Sequence, residues 1–153
     1  MASENVGMPE MAQSPTPNPA LKILDALIGT WQITDPEAGP GGGVHGQVRF
    51  EWLEGGFFLV QHVDLVNDGR PIRGAEYIGY DEASQSLRSH YFGNNSELLE
   101  YVLEVDGDSL TIWGGYVGSP ARCHGTFSAD RNSATSRWEW PGGGYPSVMT
   151  RIG

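Results

Sequence analysis

Gly29-Thr30-Trp31 opens a long series of alternating apolar and polar segments that ends in Met149-Thr150-Arg151-Ile152. A short apolar run precedes the first motif, and turns rich in glycine separate the segments that follow. An aromatic residue at the start of the first strand and an arginine near the end of the last indicate a closed sheet, because closure brings the two ends together. The two ends of the series therefore predict a β-barrel.

Period-two alternation marks the strands between these ends. It is clearest over residues 97–105, where Leu99, Tyr101 and Leu103 share one face and Glu100 lies on the other. The chain contains 22 glycines, which suit tight turns and barrel corners. The predicted strands are residues 31–34, 44–54, 57–66, 73–81, 86–92, 97–105, 109–113, 121–128, 136–140 and 147–152.

These strands, with no helix between them, predict an all-β fold: a closed antiparallel meander barrel of about eight to ten strands. Closure is preferred to an open sheet because it removes two exposed edges, while a two-sheet sandwich remains an alternative. Residues 18–29 predict one short helix, with Asn18 as N-cap and Gly29 as terminator. We expect residues 1–18 to form a disordered tail and residues 19–153 to form a single domain.

Composition narrows the range of partners. The chain has 9 Lys and Arg against 19 Asp and Glu, a formal net charge of −10, so no nucleic-acid or membrane partner is expected. The sequence contains neither a secretory signal nor an apolar stretch long enough to span a membrane, which favours a cytoplasmic location. The single Cys123 cannot form an internal disulfide and is predicted to be a small core residue.

Four short motifs follow one another along the chain: LDALIGTW (24–31), LEGGFFLV (53–60), GYD (79–81) and TR (150–151). Together they resemble the calycin superfamily, and within it the uncharacterised lipocalin-like bacterial domains. The resemblance implies an antiparallel barrel with a central cavity, a helix near one end, and Trp31 covered by Arg151 at the closure of the barrel. Nitrobindin-like relatives in the superfamily bind haem through a histidine, but their motif is not found here.

Aromatic side chains are dense for a domain of this size, and several lie on the apolar faces of predicted strands. They either fill the core or line a cavity for a flat or apolar ligand, because ligand pockets combine apolar walls with a few orienting polar groups. The candidate ligand-binding residues are Trp52, Tyr91, Tyr101, Trp113, His124, Trp138 and Trp140.

Histidines are the first candidates for catalysis, since imidazole titrates near neutral pH and also binds metals. His62 and Asp64 lie two residues apart on one strand face, where the carboxylate could make the imidazole a general base, and His90 is a second candidate. The alternative is a surface pair without special function. No metal-binding spacing is present, so a metal or haem site would need His62, His90 and His124 to point inward together.

The favoured interpretation is a binding or carrier protein that holds a small, mainly apolar or aromatic molecule in the barrel, without a cofactor. One alternative is a small-barrel enzyme, an isomerase, cyclase or hydrolase, that uses an in-strand histidine as acid and base. Another is haem or metal binding through a histidine in the lumen. A third is a packed barrel that acts through a surface contact, such as a homodimer.

Two further features concern the rim and one strand. The glycine runs 41–43 and 142–144 are expected to be mobile loops at the barrel rim. Both faces of residues 57–66 are apolar, so the alternation does not decide whether His62 points inward.

Overall fold

Ten antiparallel strands and one short helix make up the computed structural model of the protein, which describes residues 15–153. The helix spans Pro19–Leu27 and precedes all the strands. The strands are β1 (Gly29–Thr34), β2 (Val44–Trp52), β3 (Phe58–Asn67), β4 (Arg70–Asp81), β5 (Ser86–Gly93), β6 (Leu98–Asp106), β7 (Ser109–Gly114), β8 (Arg122–Phe127), β9 (Ser133–Trp140) and β10 (Gly143–Arg151).

The sheet closes on itself because β1 pairs with both β2 and β10. Each of the other strands pairs with its sequence neighbours, so the chain runs up and down around the barrel. At the closing seam, Trp31 lies opposite Arg151 on one side and opposite Val48 on the other. The predicted closed antiparallel barrel is confirmed, and the sandwich alternative is wrong.

Alternation divides the side chains between the barrel interior and the outer wall. Val48 and Phe50 of β2 are buried, and the register places Val63 and Gln61 of β3 opposite them. Those two residues of β3 therefore point inward. His62 lies between them, so its side chain points outward.

The helix is a 3₁₀-helix whose buried side is a stripe of leucines. Leu21, Leu24 and Leu27 are buried at intervals of three residues, which matches the three residues per turn of this helix type. Asn18 caps the helix, since its side-chain oxygen accepts a hydrogen bond from the backbone N–H of Ala20 at 2.9 Å. The predicted short helix and its N-cap are confirmed.

The helix covers one end of the barrel. Trp52, at the end of β2, donates from its indole Nε1 to Asp25 of the helix at 2.8 Å. Asn18 donates to Glu82, which follows β4, at 3.3 Å. The turns after β2 and β4 therefore lie at the end that the helix closes, and the opposite end carries the turns after β1, β3, β5, β7 and β9.

Trp31 and Arg151 join the two ends of the sheet to the helix. Trp31 is 0% exposed, and its Nε1 donates to the carbonyl of Leu27 at 2.7 Å. The guanidinium carbon of Arg151 lies 4.1 Å from the centre of the Trp31 ring. The same guanidinium donates to the carbonyls of Ile28 and, at 2.8 Å, of Ala26. The pairing that the resemblance implied is confirmed.

Strand β10 begins four residues earlier than the alternation predicts. Gly143 pairs with Trp140 and Gly144 with Glu139, so these two glycines belong to a hairpin, and the prediction of a loop across residues 142–144 is wrong. A Cβ on Gly144 would lie 2.4 Å from the carbonyl oxygen of Trp138, closer than any side chain allows. The other glycine run, residues 41–43, lies between β1 and β2 as predicted.

The predicted tail falls mainly on residues 1–14, which lie outside the described residues. Within residues 15–153, no helix combines the length and the apolar character needed to cross a membrane.

Replacing Arg151 with alanine should destabilise the barrel by about 2–4 kcal/mol, because the change removes both the cation over Trp31 and the charged hydrogen bonds to the carbonyls of Ala26 and Ile28. The measurement is the free energy of unfolding from chemical denaturation. Arg122→Ala is the matched control, since Arg122 also lies over a tryptophan, at 6.0 Å from the ring centre of Trp113, but on the outer wall. It should cost less than about 1 kcal/mol. Equal losses in the two variants would contradict a special role for the seam.

Candidate functional site

The barrel encloses a cavity of about 850 Å³. Leu27 of the helix lies at its closed end, and Gly115 and Trp140 lie at the opposite, open end. Its wall is mainly apolar, because the inward positions of most strands carry aliphatic or aromatic side chains. Among them are Val48, Val63, Ile72, Leu103, Ile112 and Met149.

A small polar cluster interrupts this apolar wall. Glu76 of β4 is 8% exposed, and Gln61 and Ser89 lie on the strands to either side. One carboxylate oxygen of Glu76 accepts a hydrogen bond from Gln61 Nε2 at 2.8 Å. The other accepts from the hydroxyl of Ser89 at 2.5 Å. Three neighbouring strands thus hold one carboxyl group in a fixed position facing the cavity.

Burial raises the pKa of the Glu76 carboxyl above its ordinary value, because removal from water penalises the charged form. The hydrogen bonds from Ser89 and Gln61 act in the opposite direction, since they stabilise the carboxylate, but burial is the larger effect. Glu76 therefore takes up a proton more readily than a surface glutamate does.

Aromatic residues surround this cluster toward the open end. Tyr91 lies opposite Glu76 in the sheet, and Tyr101 lies opposite Ser89. The rings of Tyr101 and Trp138 are 5.7 Å apart between centres and tilted by 56°. Burial raises the pKa of both tyrosines, so their hydroxyls keep their protons at neutral pH and can donate to a ligand.

Cys123 also faces the cavity and is buried, as predicted. Burial raises the pKa of its thiol to about 11. At neutral pH the thiol is therefore protonated and behaves as a small apolar side chain of the wall rather than as a nucleophile.

The predicted ligand-binding residues separate into two groups. Four of them line the cavity: Tyr91, Tyr101, Trp138 and Trp140. Trp52 instead packs beside the helix and bonds to Asp25, and Trp113 lies on the outer wall with its Nε1 donating to Glu104 at 2.8 Å. The cavity wall also contains three aromatic residues that were not predicted, Phe50, Phe127 and Tyr145.

The histidines lie on the outer wall. His62 bonds to Glu51 at 2.7 Å, and its predicted partner Asp64 bonds instead to Arg73 at 3.1 Å. His62 and Asp64 lie on the same strand face, as predicted, but their side chains do not bond to each other. Their shared face points away from the cavity.

His90 and His124 also face outward. His90 lies 3.5 Å from Glu100, and His124 lies 3.0 Å from the hydroxyl of Thr111. In the described part of the chain, no histidine lines the cavity. A haem or metal site would need His62, His90 and His124 to point inward together, and all three point outward. The prediction of such a site is therefore wrong. Nor do residues 15–153 contain a cluster of three or more His, Cys, Asp or Glu side chains placed to hold a metal ion.

Gln61, Glu76 and Ser89 were not predicted as site residues, although the sequence contains a signal for Glu76. Within the predicted strand 73–81, Glu76 has the same parity as Ile78 and Tyr80, which places a carboxyl among apolar residues on one face. A single acid on an apolar strand face marks a buried polar site, because burial of a charge needs a compensating partner.

The stability of the protein should depend on pH through Glu76. The pKa of Glu76 is raised in the folded state above its ordinary value of 4.5, so the folded protein holds this proton more tightly than the unfolded chain does. The stability that protonated Glu76 contributes is therefore complete below pH 4.5 and is lost as the pH rises through the folded-state pKa. The free energy of unfolding of the wild type, relative to Glu76→Gln, should therefore fall as the pH rises from 4.5. Each unit of pKa elevation corresponds to about 1.4 kcal/mol.

Asp81→Asn is the control, because it removes the same charge from an exposed site. Hydrogen bonds from Ser84 lower the pKa of Asp81 below its ordinary value of 3.8, so its contribution is present above that value and is lost as the pH falls. In chemical denaturation, the difference for Asp81→Asn should therefore stay nearly constant above pH 4.5 and fall only below pH 3.8, whereas the difference for Glu76→Gln should fall above pH 4.5. A flat or rising difference for Glu76→Gln would contradict the assignment.

Comparison with known proteins places this barrel in a family. No curated protein matches the chain. The family model described as a protein of unknown function (DUF1579) matches residues 16–139, a range that contains the helix, strands β1 to β8, nearly all of β9, and the whole Gln61, Glu76 and Ser89 cluster. The match covers most of the chain, and the protein therefore belongs to the DUF1579 family.

Proposed function

We propose that the protein binds a small, mainly apolar molecule inside the barrel. The cavity of about 850 Å³ carries this proposal. Ligand sites typically occupy about 300–1,000 Å³ and combine apolar walls with a few placed polar groups. The interior of this barrel has the same construction, with one polar cluster in an apolar wall.

The distribution of packed residues supports a binding role. The most deeply buried large side chains, Leu24, Trp31, Leu59 and Ile78, lie toward the end that the helix covers. They make that end a solid core. Toward the open end the side chains leave space between them, and an apolar ligand that fills such space recovers contacts that the wall otherwise lacks.

The motif resemblance to the calycin superfamily gives further support, because closed barrels of this size hold one small ligand. Under this proposal the protein is a cytoplasmic binding or carrier protein. The homodimer stays a prediction without further support.

The enzyme alternative receives less support from the geometry. It depended on His62, Asp64 or His90, and all three lie on the outer wall with surface partners. A substrate held in the cavity would be separated from them by the sheet. The packed-barrel alternative is disfavoured by the cavity itself.

A change that fills the cavity should abolish binding. Ile112→Trp adds bulk on an inward position, and the neutral fluorescent probe N-phenyl-1-naphthylamine should lose at least about tenfold in affinity because its space is taken. Thr111→Trp is the matched control, since Thr111 is the preceding residue of β7 and faces His124 on the outer wall. It should keep the wild-type affinity within about twofold.

Probe fluorescence gives the affinity, and thermal unfolding checks that both variants fold. A probe that fails to bind the wild type, or that binds Ile112→Trp unchanged, would overturn the proposal. Native mass spectrometry of protein purified from its own host would then identify any molecule that the wild type carries.

A further inference from the structure

We propose that the ligand carries a protonated amine on an apolar, ring-bearing body, and that the carboxylate of Glu76 holds the ammonium group. This inference rests on the proposed function, because it specifies the chemistry of the molecule in the cavity. Under this inference, Glu76 makes the cavity prefer a cationic ligand to a neutral or anionic ligand with the same apolar body.

The hydrogen bonds of Glu76 leave capacity for a ligand. A carboxylate can accept about four hydrogen bonds, two on each oxygen. Gln61 and Ser89 supply one to each oxygen, and both approach from neighbouring strands. These two bonds fix the orientation of the carboxylate, and its remaining lone pairs are free for a donor. An ammonium group offers three donors and a charge.

The charges around the cavity favour a cation. Among the described residues that line it there is no Lys, Arg or His, whereas Glu76 and Glu97 both contribute to the wall. Arg151 is occupied at the closed end, where it covers Trp31 and bonds to backbone carbonyls. The buried carboxylate thus lacks a counter-charge from the wall, and a buried charge without a partner is costly. A cationic ligand supplies that partner.

The aromatic wall suits the rest of such a ligand. Tyr91 and Tyr101 lie beside the polar cluster, and Trp138 packs against Tyr101. Aromatic faces attract cations and stack with flat apolar rings, so they can contact both parts of an aryl amine. An anionic ligand, by contrast, would meet a carboxylate in a site of low polarity.

The mouth of the cavity would assist the entry of a cation. Glu97 lines its open end, and the whole chain carries a formal net charge of −10. A negative field that converges on a cleft raises the local concentration of positive ligands. The mouth and the interior therefore select the same charge.

Three probes that share a naphthalene ring and a short side chain test the inference at pH 7: 2-(1-naphthyl)ethylamine, 2-(1-naphthyl)ethanol and 1-naphthylacetate. Isothermal titration calorimetry on the wild type should show the amine binding at least about tenfold more tightly than the alcohol, and the acetate most weakly. Glu76→Gln should remove this preference while the alcohol keeps its affinity within about twofold, because glutamine retains the shape and polarity of the side chain.

Glu97→Gln is the control for general electrostatic attraction, since it removes the same charge at the mouth. It should weaken amine binding by less than about threefold. An equal loss in Glu97→Gln and Glu76→Gln would overturn the direct contact with Glu76.

The outcomes separate this inference from the proposed function. If N-phenyl-1-naphthylamine binds the cavity but the amine binds no more tightly than the alcohol, the cation preference is wrong and the binding function stands. If neither N-phenyl-1-naphthylamine nor any of the three naphthalene probes binds, both fail. The comparison of the three probes uses the wild-type chain, so it decides the question even if Glu76→Gln does not fold, and thermal unfolding reports on that variant.

Discussion

The stacking of Arg151 on Trp31 is the interaction on which the interior of this protein depends. A cavity exists only because β1 and β10 meet, and these two residues face each other at that meeting. Arg151 also bonds to carbonyls at the end of the helix, so closure of the sheet and coverage of its end are a single arrangement. A planar guanidinium suits this position, because it can stack on an indole and donate in several directions at once.

A second constraint acts on the cavity wall. A barrel filled only by apolar side chains could pack its interior completely, whereas this one places Glu76 among them and satisfies it from two adjacent strands. A buried carboxyl group makes an apolar core less stable than an apolar side chain of similar size would. Its presence in this wall therefore indicates a role other than packing. The polar cluster lies where the solid core under the helix meets the unfilled part of the barrel, because Ser89 lies opposite Ile78 and Glu76 faces the cavity. Its position fits the recognition role that we propose for it.

Much of the architecture was predictable from local patterns. Alternation and turn residues mark strands independently of their partners, so the strand number and the helix followed from the sequence. The pairing of Trp31 with Arg151 was instead implied by the resemblance to the calycin superfamily. The inward face of β3 did not, since Phe58 and Val60 make the outer side as apolar as the inner. Strand β10 was predicted too short because Gly143 and Gly144 carry no side chains and therefore give no alternation.

The site was less predictable than the fold. Trp113 follows the inward Ile112, so parity alone places it outside, and its aromatic character was a misleading guide to the wall. The meeting of Glu76 with Gln61 and Ser89 depends on the register of three strands, which turn lengths and barrel shear determine together. No local pattern in the sequence contains that information.

The meander topology has a consequence for the order of folding. Nine of the ten strand pairings join sequence neighbours and can form as hairpins, whereas the seam brings together groups as far as 125 residues apart, as in the bond from Arg151 to Ala26. The loop-closure entropy of so distant a contact must be overcome before any of its contacts stabilise the chain. Hairpins can therefore assemble early and the seam closes late. The cavity forms only in that last cooperative step, so a nascent chain would acquire the proposed binding site only when strand β10 is in place.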